Sequence, residues 1–171
     1  LAKSKRPLIC STGMTTDQEI EKVISHLKDI EAKFILLHCN STYPTPYKDV
    51  NLKFISKLKD MTDSIVGYSG HERGFEVPIA AVAMGAKIVE KHLTLNRDME
   101  GADHKVSLLP NEFKRLVASI RNVEAAIGSS DNRRITQGEL INRQNLAKSL
   151  VARQNIKKGQ LIKSEYLDVK A

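Results

Sequence analysis

Two histidines stand at positions where imidazoles can do chemistry. His71 follows Tyr68-Ser69-Gly70 and His92 follows Glu90-Lys91. Each comes at or near the end of a short apolar run. Two imidazoles converging there can bind a divalent ion whose shell is completed by water or substrate oxygens. Their spacing is met equally by two histidines that each satisfy a local backbone hydrogen bond. Without a compact metal motif, spacing alone favours that simpler account. Ser11, Ser41 and Ser69, with Thr12 and Gly13, can hold a phosphate, helped by turn N–H groups at helix starts. Each serine taken alone reads as well as an ordinary helix cap. Asp103, after Glu100-Gly101-Ala102, can orient a sugar hydroxyl or assist proton transfer, or it can simply make a turn. His38 reads equally as a packed core histidine or a ligand, His26 as a solvated helix residue, and His104 is undecided.

The elements that must position these groups are legible as four apolar runs, at 7–11, 34–39, 64–69 and 86–95. All are too short for helices, and their continuous apolarity fits parallel strands covered on both faces. Between them lie helical patterns. Thr16-Asp17-Gln18-Glu19 is a capping box, followed by Ile20, Val23, Ile24 and Leu27 on one face. A second helix is expected over 51–59, with Leu52, Ile55 and Leu58 inward. A third covers 75–84, with Pro78 in its first turn and Gly85 as its stop. A fourth runs from Pro110 to Gly128 on a stripe of Phe113, Leu116, Val117, Ile120, Val123 and Ile127. The order is βαβαβαβα, which builds a doubly wound sheet or a TIM barrel. In both folds the carboxyl ends of the strands line the site. Here all four ends are polar: Ser11-Thr12-Gly13, His38 to Pro44, Tyr68 to Glu72, and Glu90-Lys91-His92 leading to Asp103-His104.

The 171 residues suffice for one domain with a sizeable core, but fall short of the roughly 250 residues of a whole (β/α)8 barrel. Residues 1–7 are basic, resemble the tail of a preceding helix and lead into no signal-peptide apolar region. With no initiating Met, a truncated start is expected. No apolar stretch approaches a membrane span. The net charge of +7 comes from scattered Lys and Arg without an aromatic stacking pattern, which argues against nucleic acid and suits an anionic substrate. Cys10 and Cys39 lie within expected strands, so buried reduced thiols and a cytoplasmic setting are expected.

Residues 129–144 are polar and lack an apolar period, and read as a linker. Beyond them, Ser149-Leu150-Val151-Ala152 and the segment from Ile156 to Leu161 suggest two short strands with a turn at Gly159. Ser164-Glu165-Tyr166-Leu167 suggests a turn of helix. The expected division is 1–128, a linker at 129–145, and the start of a small β-rich domain at 146–171.

These runs resemble a known family. Gly67-Tyr68-Ser69-Gly70-His71-Glu72-Arg73-Gly74 is similar to the Tyr-Ser-Gly-His segment of the sialic acid synthase (N-acetylneuraminate synthase) family. The run from Ala80 to His92, together with Ser11-Thr12-Gly13-Met14, Leu37-His38-Cys39, Tyr43-Pro44 and Gly101-Ala102-Asp103-His104, matches the same family in order. Ser149-Leu150-Val151-Ala152 and Ile156-Lys157-Lys158-Gly159 resemble the opening of its antifreeze-like (SAF) domain. The resemblance implies the second half of a (β/α)8 TIM barrel, about four βα units, followed by the start of that domain. It also implies a domain-swapped homodimer. The implied reaction condenses phosphoenolpyruvate with N-acetylmannosamine or a related N-acetylated amino sugar, giving a nonulosonic acid and phosphate. The implied cofactor is a divalent metal, manganese foremost, with magnesium or cobalt as alternatives, held by His71 and His92. Ser11, Ser69 and Ser41 would hold phosphoenolpyruvate, Tyr43 and Asp103 would meet the sugar, and Glu90 would support the metal histidine or handle a proton.

The chain departs from the family in three ways. The family's first four strands, with an acidic residue near the metal and phosphate-neutralising lysines, have no counterpart here. The antifreeze-like domain stops before the arginine that reaches the partner's site. The position of Gly70 holds Asp in many bacterial members, so Gly marks a subfamily. Two other readings stay open: a different phosphate-binding barrel aldolase, and a non-catalytic fragment of a synthase.

Overall fold

The structure is a computed structural model describing residues 5–170. The helical tail expected at residues 1–7 lies largely outside these residues, and residues 5–7 are not helical. The chain divides into two compact units, Leu1–Gly128 and Ser129–Ala171.

The first unit alternates strand and helix: β1 (Leu8–Ser11), α1 (Asp17–Asp29), β2 (Phe34–Cys39), α2 (Tyr47–Val50), α3 (Phe54–Met61), β3 (Val66–Gly70), α4 (Glu76–Ala83), β4 (Val89–Lys91) and α5 (Pro110–Ile127). A 3₁₀ turn, Ala102–Lys105, precedes α5. The four strands form one all-parallel sheet in the order β1-β2-β3-β4. A doubly wound sheet reverses its strand order at a switch point, whereas this order is strictly sequential, as in a barrel.

Local chemistry sets the element ends. Thr16 Oγ1 accepts from the Glu19 N–H while the Glu19 carboxylate accepts from the Thr16 N–H at 2.7 Å, closing the capping box of α1. At the end of α4 the Gly85 N–H reaches Val82 O and the Ala86 N–H reaches Ala81 O. Gly85 sits at φ +101°, the left-handed stop that glycine makes without strain. The helix expected over 51–59 is α3, which starts later, at Phe54, because Asn51 adopts a left-handed conformation (φ 51°) that ends the short α2 before it.

Strand alternation sorts the side chains. Phe34, Leu36, Val66 and Tyr68 join Ile20, Ile24, Leu27, Ile55 and Leu58 in the core between sheet and helices. Leu37, Gly67, Ser69 and Glu90 fall on the other face. On α5, Leu116 is buried, but Val117 and Ile127 of the expected stripe are exposed.

The second unit corrects two expectations. The expected linker, 129–145, is helical from Gln137 on: α6 (Gln137–Leu146) runs one residue past it, started by a capping box in which the Glu139 N–H donates to Thr136 Oγ1 and the Thr136 N–H to the Glu139 carboxylate. The antiparallel partner of β5 (Ser149–Ala152) is β6 (Leu167–Lys170), not the segment at 156–161. That segment turns at Gly159 (φ +84°), with the Gln160 N–H on Lys157 O. The helical turn at Ser164–Tyr166 is present, as 3₁₀.

Gly67, within β3, leaves no room for a side chain. A Cβ there would lie 2.5 Å from Ile88 O and 2.5 Å from Leu37 Cδ2. Ile88 O accepts the Tyr68 N–H at 2.8 Å, so it cannot withdraw without breaking the ladder. Gly67→Ala is expected to destabilise the fold by about 1–3 kcal/mol. Urea unfolding checks this, and an unchanged midpoint would show that the strands can part there.

Candidate active site at the strand ends

His71 and His92 are positioned by the β3–β4 ladder. Its last pair is Gly70 with Lys91, so the residue after each is a histidine, side by side on adjacent strands. Their ring centroids are 5.1 Å apart and nearly perpendicular. Past β4, the Leu108 N–H donates to His92 O at 2.9 Å, tying the histidine to the segment that leads into α5.

The tautomer of His71 follows from its partners. Nδ1 lies 2.7 Å from Asn40 O, which only accepts, so Nδ1 carries the proton. Nε2 therefore presents its lone pair, and it lies 3.0 Å from the Tyr43 hydroxyl, which donates to it. Tyr43 stacks against His71 at 4.1 Å between centroids and lies 6.0 Å from the His92 ring. Burial, then the carboxylate of Asp103, raises the Tyr43 pKa, which keeps the phenol protonated as a donor. His92 Nδ1 faces Asp103 Oδ2 at 3.7 Å, beyond hydrogen-bond reach.

Deeper on the same face, Ser69 pairs in register with Glu90, and Ser69 Oγ donates to Glu90 Oε1 at 2.7 Å. Cys39 sits among Ser41, Ser69 and the Gly13 backbone, all hydrogen-bonding neighbours, and its thiol pKa is raised mainly by burial. A Cβ on Gly13 would lie 2.1 Å from Ser41 Oγ, so glycine lets the first strand-end turn close onto the second. Thr12, Cys39, Asn40 and Ser41 help to line a cavity of about 400 Å³ at the ends of β1 and β2. Ser11 ends β1 opposite Leu37 and is exposed.

The structure thus brings Tyr43, His71, His92 and Asp103 into one cluster and links Ser41, Ser69 and Glu90 through Cys39. Ser11 ends the neighbouring strand β1, one register step from the Thr12-Gly13 turn. Cys39 and Asn40 belong to the site although neither stands out in the sequence. Period-two alternation from the inward Leu37 is the signal that places Cys39. Cys39 is half-buried rather than buried, as is Cys10. His38 is a packed histidine: it is buried, and its Nε2 donates to Val50 O at 2.6 Å. His104 Nδ1 donates to Thr94 Oγ1, whose hydroxyl donates to Asn96 O, so His104 braces a turn.

The donor set suits a borderline divalent metal. One imidazole has its far nitrogen fixed by a backbone carbonyl, which orients the other toward the cluster, and a second imidazole stands beside it. Among the described residues no three His, Cys, Asp or Glu side chains group closely enough to hold an ion alone. The described residues thus offer two ring nitrogens, and water or substrate oxygens would complete a shell around an ion held there.

Sequentially ordered parallel strands with imidazoles, a phenol and carboxylates at their carboxyl ends have the architecture of part of a (β/α)8-type barrel. Residues 1–132 match the NeuB family model, and the chain belongs to the NeuB family. The N,N'-diacetyllegionaminic acid synthase of Campylobacter jejuni (subsp. jejuni serotype O:2) is 42% identical over 173 residues, covering 99% of this chain and 52% of that protein. The N-acetylneuraminate-9-phosphate synthase of Homo sapiens is 39% identical over 170 residues, covering 99% and 47%. In structure the chain is similar to the N-acetylneuraminic acid (sialic acid) synthetase of Leptospira borgpetersenii serovar Hardjo-bovis, solved with citrate. The TM-score is 0.76 at 37% identity, over 85% of this chain and 52% of that one. The chain spans about half the length of the curated relatives it matches. The family resemblance read from the motifs is borne out, and it displaces the unrelated aldolase. No helix among the described residues is long and apolar enough to cross a membrane.

His38 generates a pH prediction. Burial lowers its pKa, against the hydrogen bonds to Val50 and Asn51 backbone that raise it. The unfolded chain then binds more protons between the two pKa values. Stability from the neutral ring is complete above roughly pH 6.5 and is lost as pH falls through the lower folded value. His38→Gln, which keeps a donor for Val50 O, should remove this part of the acid slope. Urea titrations from pH 7.5 to 5 check it, and superimposable slopes would remove His38 as the cause.

Proposed function

We propose that this chain carries half of the catalytic barrel of a synthase that condenses phosphoenolpyruvate with N-acetylmannosamine or a related N-acetylated amino sugar. The products are a nonulosonic acid and inorganic phosphate. The observation that carries the reading is the convergence of His71, His92, Tyr43 and Asp103 beside Ser69 and Glu90, in a chain whose relatives are named as synthases of such acids.

In this reaction C3 of phosphoenolpyruvate forms a bond to the sugar's aldehyde carbon. Water adds to the electron-poor C2, and the C2–O bond to phosphate breaks. His71 and His92 would hold a divalent metal, manganese foremost with magnesium or cobalt as alternatives. When bound, it supplies Lewis-acid polarisation of the sugar carbonyl.

The other residues have roles their contacts permit. Tyr43 remains a protonated donor at the metal histidine's edge, suited to a sugar oxygen. Asp103, an exposed acceptor beside His92, suits a sugar hydroxyl. Ser11, Ser41 and Ser69 take the phosphoenolpyruvate end. Ser69 has one proton and gives it to Glu90, so it donates either to Glu90 or to a phosphate oxygen, not to both. Arrival of the dianion would turn that hydroxyl and free Glu90 to accept a proton, for instance from the attacking water. The net positive charge favours the capture of an anionic substrate.

The unit Ser129–Ala171 is read as the opening of an antifreeze-like domain. The full-length protein is read as a domain-swapped homodimer acting in the cytoplasm. A non-catalytic role for this fragment alone is the competing reading, since the chain spans about half the length of its curated relatives.

The test is phosphate release from phosphoenolpyruvate by the full-length gene product with manganese, with and without N-acetylmannosamine. Sugar-dependent release is expected. A folded protein that binds manganese and releases none with this sugar would shift the reading to a modified amino sugar. One that neither binds manganese nor releases phosphate would overturn the site. His92→Ala is expected to bring manganese-dependent turnover to background with the melting curve unchanged; undiminished turnover would remove His92 from the metal site.

A further inference from the structure

The residue after His71 and the residue before His92 are bonded to each other. Lys91 Nζ lies 2.8 Å from Glu72 Oε1, and both side chains are 0% exposed. The same ammonium donates to the main-chain carbonyl of Glu72, so it grips both the side chain and the backbone just past His71. The other carboxylate oxygen accepts from the Tyr68 hydroxyl at 2.6 Å. Among the described residues no buried side-chain nitrogen or oxygen lacks a partner. Three elements are thereby tied at one point: strand β3 through Tyr68, the loop after it through Glu72, and strand β4 through Lys91.

Alternation places this cluster on the opposite face from the site. Ser69 and Glu90 point to the substrate side, whereas Tyr68 packs into the helix-side core. Glu72 and Lys91 therefore do not reach substrate. Energy alone does not account for the pair, because two charges this deep in the fold lose their hydration and apolar side chains of equal volume often serve stability as well or better. Its distinguishing property is location, with each partner covalently adjacent to one of the two imidazoles.

We propose that the buried Lys91–Glu72 ion pair, braced by Tyr68, is a positioning device that fixes His71 relative to His92 in the arrangement a divalent cation requires. The proposal rests on the reading that these histidines hold the metal. A two-point grip on residue 72 stops the His71 peptide from rotating, and the ladder pair Gly70–Lys91 carries the constraint across to His92.

The experiment is manganese chloride titration of the full-length protein without substrates. It is followed by electron paramagnetic resonance of the free ion and by the visible spectrum of a cobalt(II)-loaded sample. The variants are Tyr68→Phe and the charge-free pair Glu72→Gln/Lys91→Met, which leaves no lone buried charge. Folding is checked by circular dichroism and melting. The folded double variant is expected to bind manganese about 10- to 100-fold more weakly with an altered cobalt spectrum, and Tyr68→Phe to show a smaller loss. A folded double variant with wild-type manganese affinity and cobalt spectrum overturns the proposal alone. If the double variant does not fold, Tyr68→Phe decides, and unchanged affinity and spectrum overturn the proposal. Wild-type protein that binds no manganese overturns the metal reading itself, and this proposal with it.

Discussion

The parallel ladder between β3 and β4 is the constraint from which the site follows. Side chains alternate faces along a strand, so a slip of one residue would turn either His71 or His92 into the helix layer. A slip of two would keep the face but separate the rings by roughly 6.6 Å, two strand rises. Only the observed register, Tyr68 with Val89, Ser69 with Glu90 and Gly70 with Lys91, both keeps the imidazole pair and the Ser69–Glu90 pair on one side and sets the members of each pair next to each other. Gly67 protects that register from below, because its missing side chain lets β2 and β4 approach β3 closely on that face.

Around this ladder the side chains are arranged to stay neutral or to accept. Asn40 O sets the His71 tautomer, and Tyr43 stays protonated under the influence of burial and Asp103. Burial holds the Cys39 thiol in its protonated form between Ser41 and Ser69. Negative charge is concentrated in Glu90 and Asp103, on either side of the imidazoles.

Much of this was legible in the sequence, for identifiable reasons. The strands announce themselves as apolar runs of parallel-sheet character, and α1 is marked by both a capping box and an apolar face. His71 and His92 are visible because each follows a run that ends in polar residues. What escaped are elements without an apolar signature. Helix α6 has the Thr136–Glu139 capping box but exposes Leu140, Ile141 and Leu146, so no period stood out. The segments 156–161 and 167–170 each carry just two apolar residues, so residue type does not single out Leu167–Lys170 as the partner of β5. Asn40 serves the site through its backbone carbonyl, and a backbone role leaves no mark on residue type.

Gly70 carries a consequence for how this sequence can change. A Cβ at that position would lie 2.7 and 2.8 Å from the two Glu72 carboxylate oxygens and 2.7 Å from Tyr68 Cε1. An exposed glutamate would swing aside, but this one is clamped by Lys91 and Tyr68. Any side chain at position 70 would therefore have to push the Glu72 carboxylate off Lys91 and the Tyr68 hydroxyl, so the freedom to vary at position 70 is set by an ion pair two residues away.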